Sequence, residues 1–291
     1  MTAAVTAELV TAARAGGHGV AAFNVITLEH AEAIITAAEA AGLPVILQVS
    51  ENAVAFHGGR PEPLLAAVAA LAHAAGVPAA VHLDHVESED LLRAGVAAGV
   101  RSVMFDASKL PYEQNVAATA RMVRWAHARD VWVEAELGEV GGKDGAHAPG
   151  VRTEPAEAAA FTAATGVDAL AVAVGSSHAM TERTARLDHE LIARLRDAVP
   201  VPLVLHGSSG VPDEELRAAV AAGMAKVNIG TALNIAFTGA VRERLGADPA
   251  VVDPRRYLRA AREAMAGAAG HLLEVVAGRP TGGGQGAGRT A

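Results

Sequence analysis

The chain has 291 residues, 51% of them hydrophobic, and no cysteine. The missing cysteines exclude disulfides, a thiol nucleophile and cysteine-ligated metal centres, so a metal would need His, Asp or Glu. The net charge of −8 argues against a nucleic-acid partner, because nucleic-acid binding usually rests on a basic surface. The N-terminus predicts an amphipathic helix rather than a signal peptide, and the most apolar stretch, 64–83, is interrupted by Gly76 and Pro78. We therefore expect a cytoplasmic protein with no membrane partner.

Eight short apolar runs recur along the chain, each too short for an ordinary helix. Near-continuous apolar runs of this kind are typical of strands buried on both faces. Helical patterns separate the runs, and several of them end at a glycine, as at Gly42 and Gly166. The predicted strands are 21–25, 44–50, 79–85, 102–108, 131–138, 169–175, 202–208 and 226–230. The predicted helices between them are 29–41, 63–75, 87–98, 112–128, 154–165, 188–198 and 213–222.

This alternation predicts the α/β class, with a parallel sheet and right-handed crossovers. Eight units in a chain of this length predict a single (β/α)₈ TIM barrel. We expect that domain to cover residues 1–277 and to include a C-terminal helical extension from about Leu233. Residues 278–291 are rich in glycine and lack large apolar side chains, which predicts a disordered tail.

Ionisable side chains stand at the ends of the predicted strands, where barrel enzymes carry their catalytic groups. His85, His178 and His206 follow three different strands and would meet at one mouth, an arrangement typical of a catalytic zinc site. Asp84 beside them suits a general acid or base. Three further residues leave alternatives open. Asp106 and Glu136 are either structural carboxylates or ligands at a second metal position, and His82 is interpreted as a core histidine rather than a partner of the site.

Glycine-rich loops follow several predicted strands. The loop 138–145 combines glycine with charge and is either a mobile active-site loop or an ordinary surface loop. Gly/Ser turns at 175–177 and 207–210, with the turn at 228–231, leave backbone N–H groups unobstructed. Because barrels often bind phosphate after strands seven and eight, these turns predict a phosphate cradle.

Several motifs now identify a family resemblance over about residues 1–277. AFNV, HLDH, SVMFDAS, VEAELGEVGG, VAVGSSH, PLVLHGSSGVPDE and KVNIGT, in this order, resemble the class II fructose-bisphosphate/tagatose-bisphosphate aldolases. The resemblance implies a barrel with a zinc ion that reversibly cleaves a ketose 1,6-bisphosphate to dihydroxyacetone phosphate and an aldehyde. It also implies a sugar-phosphate substrate as partner and a homodimer or homotetramer.

The resemblance also implies roles for individual residues. His85, His178 and His206 match the zinc ligands, and Asp84 matches the acid that exchanges a proton with the aldehyde oxygen. Asp106 and Glu136 match secondary metal ligands, which leaves a second divalent or monovalent cation open. The positions that match substrate-binding residues are Asn24, Ser50, Ala179, Arg183, Gly207, Ser208, Ser209, Asn228, Ile229, Gly230 and Thr231.

The chain departs from the family pattern around the substrate. Asp144 stands where the proton-abstracting Glu is usual and is one methylene shorter. Ala179 replaces a Gly, Arg183 replaces a phosphate-facing Lys, and Gly230 and Ala232 replace acidic side chains of some relatives. These changes leave open a specialised aldolase of the same mechanism that acts on a modified sugar phosphate or another donor.

The same sequence also bears on three other classes of function. A Schiff-base aldolase needs a lysine in the barrel mouth, whereas Lys226 is predicted to open its strand at the far end and Lys109 and Lys143 fall in loops. A metallohydrolase barrel commonly has an HxH pair after strand one, where this chain has residues 23–25, FNV. A non-catalytic sugar-phosphate-binding barrel stays open.

Overall fold

The protein is described from a computed structural model, in which residues 4–137, 152–178 and 180–280 are described. Eight parallel strands close into a barrel in which each strand pairs with its neighbours in chain order, and β1 pairs with β8. This confirms the predicted (β/α)₈ barrel. The strands are β1 Val20–Asn24, β2 Val45–Ser50, β3 Ala79–Val86, β4 Ser102–Phe105, β5 Trp132–Glu136, β6 Ala169–Ala171, β7 Leu203–Leu205 and β8 Met224–Ile229.

Helices alternate with the strands, as predicted, and two further helices form the C-terminal extension. Within the described residues they are α1 Thr6–Gly16, α2 Leu28–Ala41, α3 Glu51–Phe56, α4 Pro61–Ala74, α5 Glu89–Ala97, α6 Tyr112–His127, α7 Pro155–Thr165, α8 His189–Ala198, α9 Asp213–Ala222, α10 Thr231–Ala247 and α11 Pro254–Val276. No helix in the described ranges is long and apolar enough to cross a membrane.

The structure corrects several predicted boundaries. The sequence does not predict the short helix α3, because six residues are too few for a helical period to be recognised. Ser50 caps its N-terminus, and the Ser50 Oγ accepts a hydrogen bond from the Ala53 N–H. The extension begins at Thr231, directly after β8, rather than at Leu233. Strands β6 and β7 have three residues each, shorter than predicted. From position 281 onward, the predicted tail lies outside the described residues.

The position of Lys226 is a further correction. The alanine-rich segment before it masks the true start of β8, which begins at Met224. Lys226 is therefore the third residue of the strand rather than the first, and its side chain is fully buried in the barrel interior beside Glu134. The prediction that Lys226 opens its strand was wrong.

Small apolar side chains fill the N-terminal end of the barrel. Ala22, Ile46, Ala80 and Ala225 are fully or almost fully buried there against Val10 of α1, which closes this end. Four side chains of the later strands, Met104, Ala169, Ala171 and Val204, form a second apolar group. A larger cluster joins the outer faces of the strands to the surrounding helices. The packed N-terminal end leaves the opposite end of the barrel as the open one.

Candidate active site

A cavity of about 780 Å³ opens at the C-terminal ends of the strands. Its lining comes from the strand ends and the loops that follow β1, β2, β3, β4, β6, β7 and β8. The fold thus brings residues far apart in sequence into one polar cavity, as expected for a barrel enzyme. The predicted site residues that line it are Asn24, Ser50, Asp84, His85, His178, Gly207, Ser208, Ser209, Asn228, Gly230 and Thr231.

An irregularity in β3 directs two neighbouring side chains into this cavity. In a regular strand Asp84 and His85 would point to opposite faces of the sheet. The register with β4 shifts between Leu83 and Val86, and His85 has a φ of 48°, in the left-handed region that non-glycine residues seldom adopt. Both side chains consequently line the cavity. Such backbone conformations are concentrated at functional sites.

Four side chains present candidate metal-ligand atoms to one point near the base of the cavity. The ligand atoms of His85, Glu136, His178 and His206 all lie within 4.8 Å of one another. His206 Nδ1 is 2.9 Å from His85 Nε2, and the rings of His85 and His178 meet edge to face. Imidazole nitrogens with a carboxylate oxygen are a donor set that divalent zinc accepts. The residues present therefore fit a metal ion.

The two carboxylates at the predicted secondary metal position have different surroundings. Glu136 is part of the group of four, and its Oε2 lies 3.7 Å from His206 Nδ1. Asp106 lies outside that group. Its Oδ2 is 2.8 Å from His85 Nδ1, and its Oδ1 accepts hydrogen bonds from the backbone N–H and the hydroxyl of Ser108. Asp106 thus orients the His85 ring and leaves Nε2 directed toward the other ligand atoms.

Asp84 is held in place beside the metal ligands. Its side chain is almost fully buried, and its Oδ2 accepts a hydrogen bond of 2.8 Å from Asn24 Nδ2. Burial alone would raise the pKa of Asp84, but the nearby His85, His206 and Lys226 and the Asn24 hydrogen bond together lower it. The carboxylate is therefore ionised in the resting site and can accept a proton.

The turns that predict a phosphate cradle follow β7 and β8 and form part of the cavity wall. Gly207 has a φ of 67°, and a Cβ there would lie 2.6 Å from the Ser177 carbonyl group, so only glycine fits. A 3₁₀ turn, Ser208–Gly210, follows, and Ser209 Oγ accepts a hydrogen bond from the Ala232 N–H. Helix α10 begins at Thr231 on the cavity wall, and a helix N-terminus attracts anions.

Five described site residues of the prediction do not line the cavity: His206, Glu136 and Asp106 lie at or beside the candidate metal position, and Arg183 and Ile229 lie elsewhere. Arg183 donates hydrogen bonds to the Val211 carbonyl and to Asp213, on the side of the cradle. The Ile229 side chain is buried in the apolar cluster outside the strands, because it alternates with Asn228. Asp144 and Ala179 lie outside the described residues, as does the loop 138–145.

Sequence reasoning missed several residues of the cavity. Lys109 lines it and forms an ion pair with Glu87, at 2.8 Å. Asn234 lines it from the first turn of α10, and its Oδ1 is 3.2 Å from His30 Nε2. The spacing of three residues between Thr231 and Asn234 on one helix face is the signal that could have identified Asn234.

His82 lies below the ligand group rather than in the cavity. It is fully buried, and its Nδ1 is 2.6 Å from Ser102 Oγ. Its Nε2 has no hydrogen-bond partner among the described residues. Burial and the charge of Lys226 lower the pKa of His82 well below its ordinary value, so the ring is neutral. These surroundings agree with the interpretation of His82 as a core histidine.

The fold and the cavity define a class: a (β/α)₈ enzyme with a candidate metal centre beside a candidate phosphate cradle. Comparison with known proteins narrows this class. The family model "Fructose-bisphosphate aldolase class-II" matches residues 4–279. The chain therefore belongs to the class II fructose-bisphosphate aldolase family, and it is an aldolase, a carbon–carbon lyase.

Curated relatives and solved structures agree with this family. A fructose-bisphosphate aldolase of Thermus caldophilus is 43% identical over 285 residues, covering 89% of this chain and 92% of the relative. One from Geobacillus stearothermophilus is 42% identical over 262 residues, covering 89% and 91%. The structure of the YdjI aldolase from Escherichia coli K12 is 33% identical with a TM-score of 0.83, covering 94% of this chain and 97% of that one. These findings confirm the resemblance and the metal-dependent class.

Proposed function

We propose that the protein is a zinc-dependent aldolase that reversibly cleaves a ketose 1,6-bisphosphate, of the fructose or tagatose type, to dihydroxyacetone phosphate and an aldehyde. The observation that carries the proposal is a cavity lined by Asp84, the candidate phosphate cradle, His85 and His178, in which the ligand atoms of the two histidines converge with those of buried His206 and Glu136. The two curated relatives are named fructose-bisphosphate aldolases, which supports fructose as the sugar.

The metal centre is assigned to His85, His178 and His206, with Glu136 as a fourth or alternative ligand. Zinc bound there would supply Lewis-acid polarisation of a substrate carbonyl. Asp106 supports the site by orienting His85. The single place for all four ligand atoms favours one zinc ion, and a second divalent or monovalent cation would have to use Asp106 as well.

Asp84 is assigned the proton transfer at the aldehyde oxygen. In the cleavage direction its ionised carboxylate takes the proton from the hydroxyl group on the carbon that becomes the aldehyde. The carbon–carbon bond then breaks, and its electron pair stays with the carbonyl fragment. In the reverse direction Asp84 returns the proton to the new hydroxyl oxygen. Asn24 keeps the carboxylate aimed at this position.

The second proton transfer, at the donor carbon, is assigned to Asp144 by its position in the family motif. It lies outside the described residues, so the assignment depends on the sequence. An Asp144→Asn variant tests it. We expect slow cleavage with normal zinc content, and a normal rate would remove Asp144 from the mechanism.

The donor phosphate is assigned to the backbone of Gly207 and Ser208, the Ser209 hydroxyl and the N-terminus of α10 at Thr231. Ser50, Asn228, Gly230 and the backbone at Ile229 complete the substrate contacts proposed for this side of the cavity, and Ala179 is proposed from sequence. Arg183 would have to leave Asp213 before it could reach a phosphate.

Metal removal followed by a product assay tests the proposal. We expect a chelator to abolish cleavage of fructose or tagatose 1,6-bisphosphate, and zinc or cobalt to restore it. Unchanged turnover after complete metal removal would refute the metal mechanism. Zinc content with tight sugar-phosphate binding but no cleavage of any ketose phosphate would indicate the non-catalytic barrel instead.

The specialised aldolase is the second candidate, and the cradle favours it specifically. Gly230 and Ala232 offer no carboxylates there, and a Cβ at Gly230 would lie 3.0 Å from Asn24 Oδ1. A larger residue at position 230 would therefore crowd the residue that holds Asp84. Slow turnover of both common bisphosphates with fast turnover of a modified sugar phosphate or another donor would select this candidate.

We also propose that the chain acts in the cytoplasm as a homodimer or homotetramer. Helix α10 supports an oligomer, because Leu233 is its one fully buried residue while Ile235 and Leu245 are exposed. Light scattering on the purified full chain measures the mass directly, and a monomer at micromolar concentration would contradict the proposal.

A further inference from the structure

Three ionisable side chains meet inside the barrel, and one of them is the candidate metal ligand His206. Glu134 of β5, Lys226 of β8 and His206 are all fully buried. Lys226 Nζ donates a hydrogen bond of 2.8 Å to Glu134 Oε2, and Glu134 Oε1 lies 2.9 Å from His206 Nε2. Neither Glu134 nor Lys226 lines the cavity, so the two act on any substrate only through their neighbours.

The Glu134 carboxylate determines which nitrogen of His206 faces the candidate metal position. A neutral imidazole has one N–H, and a carboxylate paired with a lysine can only accept a hydrogen bond. The proton of His206 therefore lies on Nε2, and Nδ1 keeps its lone pair. Nδ1 is the atom that lies 2.9 Å from His85 Nε2, within the ligand group. Asn228 Nδ2 also lies 3.0 Å from Nε2, but the two ends of an amide are assigned from the hydrogen-bond network. Asn228 Oδ1 is buried without a hydrogen-bond partner among the described residues, and turning the amide would let it accept the Nε2–H.

On the opposite side of the ligand group a carboxylate also orients a histidine, but different groups stabilise that carboxylate. Asp106 orients His85 from the rim of the barrel, where the Ser108 hydroxyl and N–H satisfy its other oxygen. Glu134 orients His206 from the dry interior, where a lone carboxylate would be costly to bury. Lys226 supplies the opposite charge and the hydrogen bond that this position requires.

We infer that Glu134 is a positioning residue that fixes the tautomer and ring orientation of His206 for metal binding, and that Lys226 holds Glu134 in that role. The inference deepens the proposed function, because it rests on His206 as a metal ligand. Stability alone does not explain the pair, since well-packed apolar residues can often replace a buried ion pair without loss of stability.

Two double variants separate positioning from charge burial. Both E134Q/K226M and E134L/K226M remove the ion pair together, so neither leaves an uncompensated charge. The Gln variant keeps a side-chain oxygen that can accept the His206 Nε2–H, whereas the Leu variant has no acceptor. Affinity for zinc and cobalt is measured on metal-free full-length protein by competition with a chelating dye, and the cobalt absorption bands report the ligand geometry.

We expect E134L/K226M to bind metal about 10- to 100-fold more weakly than the wild type, the usual cost of losing a partner of a metal ligand. E134Q/K226M should stay close to the wild type, with an unchanged cobalt spectrum. S102A is the matched control, because it removes the buried hydrogen bond to His82 and leaves His206 alone. Its metal affinity should equal that of the wild type.

Equal metal affinity of the two double variants would overturn the inference and leave the proposed function intact. Failure of the wild type to bind zinc or cobalt would instead refute the proposed function. A measurement on the metal-free wild type covers the case in which the double variants do not fold. Imidazole ¹⁵N spectra, with the His206 signal identified by its loss in H206Q, should show an Nε2–H tautomer. An Nδ1–H tautomer would overturn the inference.

Discussion

The two ends of the barrel interior are built from the same strands but differ in chemistry. Along the inward face of β2 the chain reads Ile46, then Gln48, then Ser50, and along β3 it reads Ala80, then His82. The first residue of each series is packed in the apolar N-terminal end, and the last lies at or near the cavity. Polarity therefore increases along each strand toward its C-terminal end.

Each of these strands therefore contributes to stability at its N-terminal end and to chemistry at its C-terminal end. The apolar end contributes burial and packing. The polar end keeps buried groups with incomplete hydrogen bonding, such as Gln48 and Asp84 Oδ1. Buried polar groups without partners reduce the free energy of unfolding, and apolar burial at the N-terminal end offsets that loss.

The largest expected effect is at the polar end. Asp84→Asn keeps the size of the side chain but removes the group that accepts the hydroxyl proton, so we expect cleavage to fall about 10²- to 10⁴-fold. Zinc content and melting temperature should stay near the wild type. Asp90→Asn, on an exposed residue of α5, is the matched control. A near-normal rate in the Asp84 variant would show that another group carries the proton.

The buried ion pair of Lys226 and Glu134, between the two ends, should affect stability and function together. Lys226→Met removes the cationic partner of the buried Glu134 carboxylate, and we expect a loss of about 3–5 kcal/mol in the free energy of unfolding. Urea denaturation of the metal-free protein measures it. Adding Glu134→Leu should recover most of that loss. If the single variant is as stable as the wild type, the ion pair does not contribute to the stability of the barrel.

The apolar end should affect stability alone. Ile46→Ala removes a fully buried side chain and should cost about 2–5 kcal/mol of unfolding free energy. We expect the turnover number per folded molecule to stay unchanged, because Ile46 lies away from the cavity lining. A lower turnover number with unchanged stability would show that the N-terminal end also affects the chemistry.

A weaker effect on chemistry is expected from Asn24→Ala. This change removes the hydrogen bond to Asp84 Oδ2, and hydrogen bonds to charged groups contribute about 1.5–3 kcal/mol. We expect turnover to fall roughly 10- to 100-fold while the Michaelis constant changes less, because the carboxylate loses its orientation. Steady-state kinetics distinguish this from a loss of substrate affinity, which would assign Asn24 to binding instead.

The smallest effect is expected on the outer surface. Arg121→Ala breaks an exposed ion pair with Glu89 and should cost less than about 1 kcal/mol. The hydrogen bond from Arg121 lowers the pKa of Glu89 below its ordinary value of 4.5, so this stabilisation is present above pH 4.5 and is lost as the pH falls through the lowered pKa. The two proteins should become equally stable in acid. A difference that persists there would point to lost packing of the arginine stem.

Two features of the site depended on the register between neighbouring strands. The sequence places Asp84 and His85 side by side, but only the register shift between β3 and β4 turns both into the cavity. The choice between Asp106 and Glu136 as members of the ligand group depended in the same way on how β4 and β5 align. No local pattern carries this information, because register is set by partners elsewhere in the chain.

By itself, the sequence determined the barrel, the order of its units and the polar residues at the strand ends. These follow from local periodicity and from turn residues, which each segment carries within itself. Only the tertiary structure showed that Lys226 lies inside the barrel and pairs with Glu134, 92 residues away. That pair exists because closure of the barrel brings β5 and β8 to a shared interior, where two buried charges must neutralise each other.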